Sequence, residues 1–230
     1  MEDFTEKNPK FFYDSREFPE LLVFEQNFET IRDEFLNVKE QQKGIWLDTF
    51  PHYVDKSSEN KWKIFSFRFF GIDNPLNHSL CPVTSRLIKN NPNIISADYS
   101  YLPPKTKILP HKGFTKMVLR VHLALIVPEG DIGIRVGNTT KKWQEGKLLI
   151  LDDSFEHEAW NNTDKDRVVL MFDIVNPRWG YSADEINRYK IENMQDEYIL
   201  QLFPKEKWLE FLNKKEFDVE YMKQRMGLKN

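Results

Sequence analysis

The chain has little of what cross-links, punctuates or anchors a protein. Cys81 is its single cysteine, so an intrachain disulfide and cysteine-rich zinc sites are excluded, and a small buried hydrophobe is its expected role. Glycine is scarce, at 9 of 230 residues, and no Gly/Ser linker, low-complexity tract or repeat divides the sequence. No apolar run approaches the roughly 18 residues of a membrane span. The first residues, Met1-Glu2-Asp3-Phe4-Thr5-Glu6, are acidic and lack the basic-then-apolar order of a secretory signal. A cytoplasmic protein without a membrane partner is therefore expected. An excess of one charge is missing too. The 33 Lys and Arg nearly balance 36 Asp and Glu, and no basic run is interleaved with aromatics, so nucleic acid is not an expected partner.

What the chain has is core-forming material. Eighteen Phe, 8 Tyr and 6 Trp within 40% hydrophobic content argue against disorder, while 30% charged residues provide a solvated exterior. Composition shifts only near residue 180. Before that, Phe24, Phe28, Ile31 and Phe35 recur at helical spacing, and Pro82 followed by Val83, Leu87 and Ile88 reads as a second helix. From about Ile94 to Val175 the pattern changes to short β-type runs at 95–102, 117–127, 132–136, 147–151 and 167–175. Pro103-Pro104, Pro128-Glu129-Gly130 and Gly137-Asn138 break them, as in a sandwich or barrel. Along 117–125, Leu119, Val121, Leu123 and Leu125 fall on one face and Arg120, His122 and Ala124 on the other. After Pro177 the chain turns polar and helical, with a capping box at Ser182-Ala183-Asp184-Glu185 and a break at Pro204. Residues 1–180 are expected to form one β domain with N-terminal bracing helices, and 181–230 a helical extension used for packing or dimerisation.

The chemistry concentrates in His111, His157 and Arg167. Iron(II) sites that activate oxygen commonly use two neutral imidazoles and a carboxylate on one face. The carboxylate usually stands two residues after the first His, where this chain has Gly113, so either water fills that place or the site holds no metal. Arg167 suits the distal carboxylate of a dicarboxylate cosubstrate such as 2-oxoglutarate, because a guanidinium neutralises it in a bidentate pair. Arg120 would serve the cosubstrate's other end, and His122 on the same face would donate to it. Singly, each of these residues reads more readily as a surface or satisfied core residue than as part of a site. His52 and His78 lie in polar, loop-like sequence and are expected to play no part.

The ordered stretch His111-Lys112-Gly113, Leu119-Arg120-Val121-His122-Leu123-Ala124-Leu125, Trp143-Gln144-Glu145-Gly146-Lys147, Asp152-Asp153-Ser154-Phe155-Glu156-His157-Glu158-Ala159-Trp160 and Arg167-Val168-Val169-Leu170 closely resembles the catalytic domain of the aspartyl/asparaginyl β-hydroxylase family. The likeness is strong over about 95–178, weaker over 11–94, and does not reach 181–230. It implies a mainly β fold, a double-stranded β-helix (jelly-roll, cupin-like), and an oxygenase using Fe(II), 2-oxoglutarate and O2. The family's iron ligands fall on His111 and His157. In that family Gly follows the first ligand by two and water replaces the carboxylate, so Gly113 agrees. Its 2-oxoglutarate contacts fall on Ser100, Arg120, His122 and Arg167. Two departures bear on substrate. Where eukaryotic members hold an acidic substrate with basic residues, this chain has Asp98 and Val118. A third departure, Asn176-Pro177 in place of a His-Pro pair, leaves the expected metal ligands intact.

The expected activity is hydroxylation of an amino-acid side chain, in a peptide or protein or as the free amino acid, or of a related small metabolite, with release of succinate and CO2. Asp98 and Val118 are expected to favour a neutral or cationic group. Two other readings remain at this stage: a barrel that binds without catalysis, and a halogenase using the room left at Gly113 for chloride.

Overall fold

The computed structural model describes residues 9–58 and 61–227. Among the described residues, twelve strands form the framework. They are β1 (Phe12–Tyr13), β2 (Trp46–Asp48), β3 (Lys63–Phe69), β4 (Ile72–Asp73), β5 (Ile94–Leu102), β6 (Thr106–His111), β7 (Val118–Ile126), β8 (Ile132–Val136), β9 (Thr139–Lys141), β10 (Leu148–Leu151), β11 (His157–Asn161) and β12 (Arg167–Val175). The large sheet runs β1-β10-β7-β12-β5-β3-β2 with β4 paired to β3, and the small sheet runs β6-β11-β8-β9. Every pairing within these sheets is antiparallel. This is the double-stranded β-helix, mainly β, with flanking helices.

Period-two alternation sorts the side chains into two layers. Leu102, Ala124, Leu151 and Val169 of the large sheet meet Ile108, Ile132, Ile134, Val136 and Ala159 of the small one, closing one end of the barrel interior. Their neighbours Leu119, Val121, Leu123, Leu125, Leu170 and Phe172 turn outward against helices α1 (Leu22–Gln26), α2 (Phe28–Glu40) and α4 (Pro82–Lys89), with α3 (Pro75–Leu80) preceding α4. Phe24 stacks on Phe172 at 4.7 Å, and truncating such a buried ring to Ala costs about 3–5 kcal/mol. The start of α4 has no cap of its own. Glu34 of α2 supplies one, accepting from the amides of Val83 at 2.7 Å and Thr84 at 2.9 Å.

The C-terminal segment forms α5 (Ala183–Glu192), α6 (Glu197–Leu202), α7 (Lys205–Lys214) and α8 (Val219–Met226). The Ser182–Glu185 capping box starts α5, and Pro204 is the N-cap of α7. These helices share a core with Phe70, Ile72, Ile95, Met117 and Val118 of the β domain. The extension therefore packs on its own chain's sheet. Cys81 is buried, as expected. His78 is not in a loop. It lies inside α3, buried, with Nδ1 2.8 Å from the Ser85 hydroxyl, because Pro75 and the Asn74 cap start a helix there.

Candidate active site

Strands β6 and β11 pair so that His157 lies directly opposite His111, their ring centroids 4.2 Å apart. Each ring's Nδ1 meets a carbonyl two residues earlier on its own chain, Leu109 at 2.8 Å and Phe155 at 3.0 Å. A carbonyl can only accept, so both Nδ1 atoms carry the proton and both Nε2 atoms keep a free lone pair. Burial lowers both pKa values to about 4, helped at His111 by neighbouring His157 and at His157 by Arg120. Both imidazoles are neutral at pH 7, the state a metal requires. Tyr53 stacks on His111 at 4.3 Å and limits its rotation. Among the described residues, no set of three His, Cys, Asp or Glu side chains gathers as ligands.

Gly113 has no side chain because Asp153 occupies that space. Its amide donates to the Asp153 carbonyl at 2.7 Å, and a Cβ there would lie 2.5 Å from the Asp153 carboxylate. That carboxylate begins a buried chain of charges. Arg120 reaches Asp153 at 3.0 Å and Asp173 at 2.9 Å, and Lys190 of α5 reaches Asp173 at 3.3 Å. Asp173 sits at about 2 because Arg120 and Lys190 outweigh its burial, whereas burial raises Asp153 despite Arg120. Arg120, expected to serve the cosubstrate's other end, is thus already engaged by two carboxylates. The reason is tertiary: Asp173 lies opposite it on β12, and Asp153 comes in from the loop before β11.

The unpaired donors lie elsewhere in the same interior. Arg167 is 2% exposed, and its Nε and Nη1 have no hydrogen-bond partner among the described residues. Burial lowers its pKa to about 9. Its Cζ lies 4.7 Å over the Trp143 ring. Trp143 Nε1 donates to His122 Nδ1 at 3.0 Å, so the His122 proton is on Nε2, which is likewise buried and without a partner. Burial and the Arg167 charge hold His122 neutral. Ser100 accepts from Trp62 Nε1 at 2.9 Å, which leaves the Ser100 hydroxyl proton free to donate. The Arg167 and His122 donors, buried and without acceptors among the described residues, are costly unless an anion lies against them.

Asp98 lines the pocket beside Arg120, and burial raises its pKa to about 7, with Ser66 the first group opposing the rise. The Ser66 hydroxyl falls short of a geometric hydrogen bond, so Asp98 Oδ1 has no partner among the described residues. Val118 packs into the core shared with the C-terminal helices. Nothing along the chain singles out Lys190, an ordinary lysine in a polar helix. Trp143 and Asp153 stood inside the recognised motifs without an assigned role.

The sequence pattern of the aspartyl/asparaginyl beta-hydroxylases matches residues 25–177. The chain belongs to this family. It is 39% identical over 169 residues to the ornithine lipid ester-linked acyl 2-hydroxylase of Rhizobium tropici, covering 72% of this chain and 60% of that one. It is 35% identical over 158 residues to the human aspartyl/asparaginyl beta-hydroxylase, covering 66% of this chain and 20% of the human protein. The matched stretch thus spans about three fifths of the Rhizobium relative and one fifth of the human one. Among solved structures, a Pseudomonas putida prolyl-4-hydroxylase aligns over 68% of this chain and 98% of its own, with a TM-score of 0.43 and 10% identity. A 2OG-Fe(II) oxygenase family protein of Burkholderia pseudomallei aligns over 61% and 78%, at 0.41 and 9%. Overlaps this partial add nothing to the family assignment.

Proposed function

We propose that the protein is an Fe(II)- and 2-oxoglutarate-dependent hydroxylase. It would convert a substrate C–H, O2 and 2-oxoglutarate into C–OH, succinate and CO2. The observation that carries this reading is the pairing of two neutral imidazoles, each with a free Nε2, with a buried and unpaired Arg167. The first arrangement fits Fe(II), and the second fits a carboxylate. Iron held by His111 and His157 supplies the oxygen-activating chemistry that no side chain here possesses.

The protein's own residues do the rest. Leu109 and Phe155 carbonyls fix the two imidazoles in the ligating tautomer. Arg167, His122 Nε2–H and Ser100 Oγ–H are the groups that orient the cosubstrate, with Trp143 holding both Arg167 and His122 in place. Arg120 bears on the other end only by sharing charge already pledged to Asp153 and Asp173. The space above Gly113 is taken by the Asp153 carboxylate, and a second anion there would be repelled, which favours hydroxylation over halogenation.

The substrate's reacting segment is uncharged in this reading. Arg120 and Lys190 are both paired, so neither is free for a substrate carboxylate, and Asp98 would repel one. An acyl chain, the target named for the Rhizobium relative, meets these walls better than an aspartyl side chain. The test is anaerobic titration with Fe(II) and 2-oxoglutarate, followed by succinate release on admitting O2, with His157→Ala as control. A visible charge-transfer band and substrate-stimulated succinate are expected. Failure to bind 2-oxoglutarate would leave the binding-only reading in its place.

A further inference from the structure

We propose that the C-terminal extension completes the cosubstrate site: Lys190 is a positioning residue that takes up part of the Asp173 charge and so leaves Arg120 able to attract 2-oxoglutarate. The identity of the anion rests on the hydroxylase reading. The new element is a residue from outside the stretch matched by the family, 25–177.

The placement begins with one face of α5. Its buried residues are Ile186, Asn187, Lys190 and Ile191, and a helix face pressed on a sheet has no ordinary use for a lysine. Lys190 is 6% exposed. Its Nζ lies 4.6 Å from the Phe70 ring centroid and 3.3 Å from Asp173 Oδ2. Ring and carboxylate together offset the cost of burying the ammonium.

Anchoring the extension does not require this lysine. Phe203, Trp208 and Phe211 already join the extension to Phe70 and Ile95 in one apolar core. Asp173 also has a cation without it, since Arg120 meets both its oxygens, Nε at 2.9 Å and Nη2 at 3.3 Å. The shortage is on the side of Arg120. The same guanidinium faces Asp153 at 3.0 Å, so without Lys190 one cation would answer two buried carboxylates. A buried site with an excess of negative charge repels a further carboxylate. With Lys190 in place, two cations answer two carboxylates. Arg120 Nη1, which has no partner among the described residues, then keeps its attraction for an incoming anion.

The experiment measures 2-oxoglutarate binding by calorimetry on the full-length protein loaded with Mn(II), which permits binding without turnover. Lys190→Met should weaken binding by about tenfold or more, and Lys190→Arg, which keeps the charge, should stay within about threefold of the wild type. Asp173→Asn removes a carboxylate and should tighten binding by about two- to fivefold. The double variant Lys190→Met/Asp173→Asn loses one charge of each sign and should return to about the wild-type affinity. A lysine that only anchored the helix would lower stability and leave these affinities alone. Circular dichroism checks each fold, Lys190→Gln replaces Lys190→Met if the latter does not fold, and the sign of the Asp173→Asn effect does not depend on either. No 2-oxoglutarate binding by the wild type overturns the hydroxylase reading and the role of Lys190 with it. Wild-type binding that is unchanged in the folded Lys190 variant, not recovered in the double variant, or weakened by Asp173→Asn overturns the role of Lys190 alone.

Discussion

Arg167 lies against Trp143, guanidinium carbon 4.7 Å over the indole, with two nitrogens unpaired inside the barrel. The indole offsets part of the burial cost through its π face, and it aligns His122 with its other edge. A lone buried cation with no acceptor is a standing cost to the fold, tolerable where a ligand anion relieves it.

That arrangement sets stability against binding. Arg167→Met should make the ligand-free protein more stable, by on the order of 1–3 kcal/mol, because an apolar chain of similar length replaces an unpaired charge. The same change should weaken 2-oxoglutarate binding by about 2–4 kcal/mol, as for a broken charge-assisted bond. Thermal melts with and without 2-oxoglutarate measure both. A destabilised ligand-free variant would mean that Arg167 has a structural partner and is no clamp.

The His111–His157 pair fixes a pH dependence. Both pKa values fall to about 4 in the fold from the usual 6.5, so between those limits the unfolded chain binds more protons than the folded one. Stability is fully present above pH 6.5 and is lost as pH falls toward 4, by up to about 3 kcal/mol per imidazole. His157→Ala should flatten the metal-free stability profile in this window and abolish Fe(II) binding and turnover, while the native circular dichroism spectrum persists. His52→Ala should change none of these. An unaltered pH slope in His157→Ala would show that its imidazole titrates normally.

Much of this arrangement was legible because it follows local rules. The outward face of β7 and the capping box of α5 both appear where alternation and capping place them. The strands that carry the two imidazoles did not. Pro110 interrupts β6, and β11 alternates Glu158 and Trp160 with small Ala159, so neither shows an apolar β pattern. Arg120, read from its strand face as a contact for the cosubstrate's other end, is paired with carboxylates 33 and 53 positions away. Such partners are set by how the sheets close, and spacing along one strand carries no record of them. The same is true of Lys190, which α5 brings in from the segment that family resemblance did not reach.

Asp98 yields a prediction of opposite sign. Its pKa is raised to about 7, so the fold holds a proton there that the unfolded chain has lost above about pH 4. The penalty is absent at low pH, grows through this window and is complete above pH 7. Asp98→Asn should therefore stabilise the protein by on the order of 2–4 kcal/mol at pH 8 and by little at pH 4. Urea denaturation at the two pH values checks this. Equal effects at both would show that Asp98 has a counter-charge in the fold.

The last prediction concerns the empty side chain at Gly113. A Cβ placed there meets all three carboxylate atoms of Asp153 between 2.5 and 2.7 Å, and that carboxylate is anchored to Arg120 at 3.0 Å. Asp153 cannot swing aside without breaking a buried ion pair, so Gly113→Ala should cost about 1–3 kcal/mol. Asp153→Ala should also destabilise, since it leaves Arg120 with one carboxylate fewer. Because both changes compete for one volume, the double variant should be less damaged than the sum of the two, by about 1–2 kcal/mol. Gly113→Asp should not create a third metal ligand in the presence of Asp153. It sets two carboxylates against each other in a buried space, where one must take up a proton. Chemical denaturation of the four proteins in the cycle decides the matter. Strictly additive losses would mean that Gly113 and Asp153 do not share the space, and the missing side chain would then need another explanation.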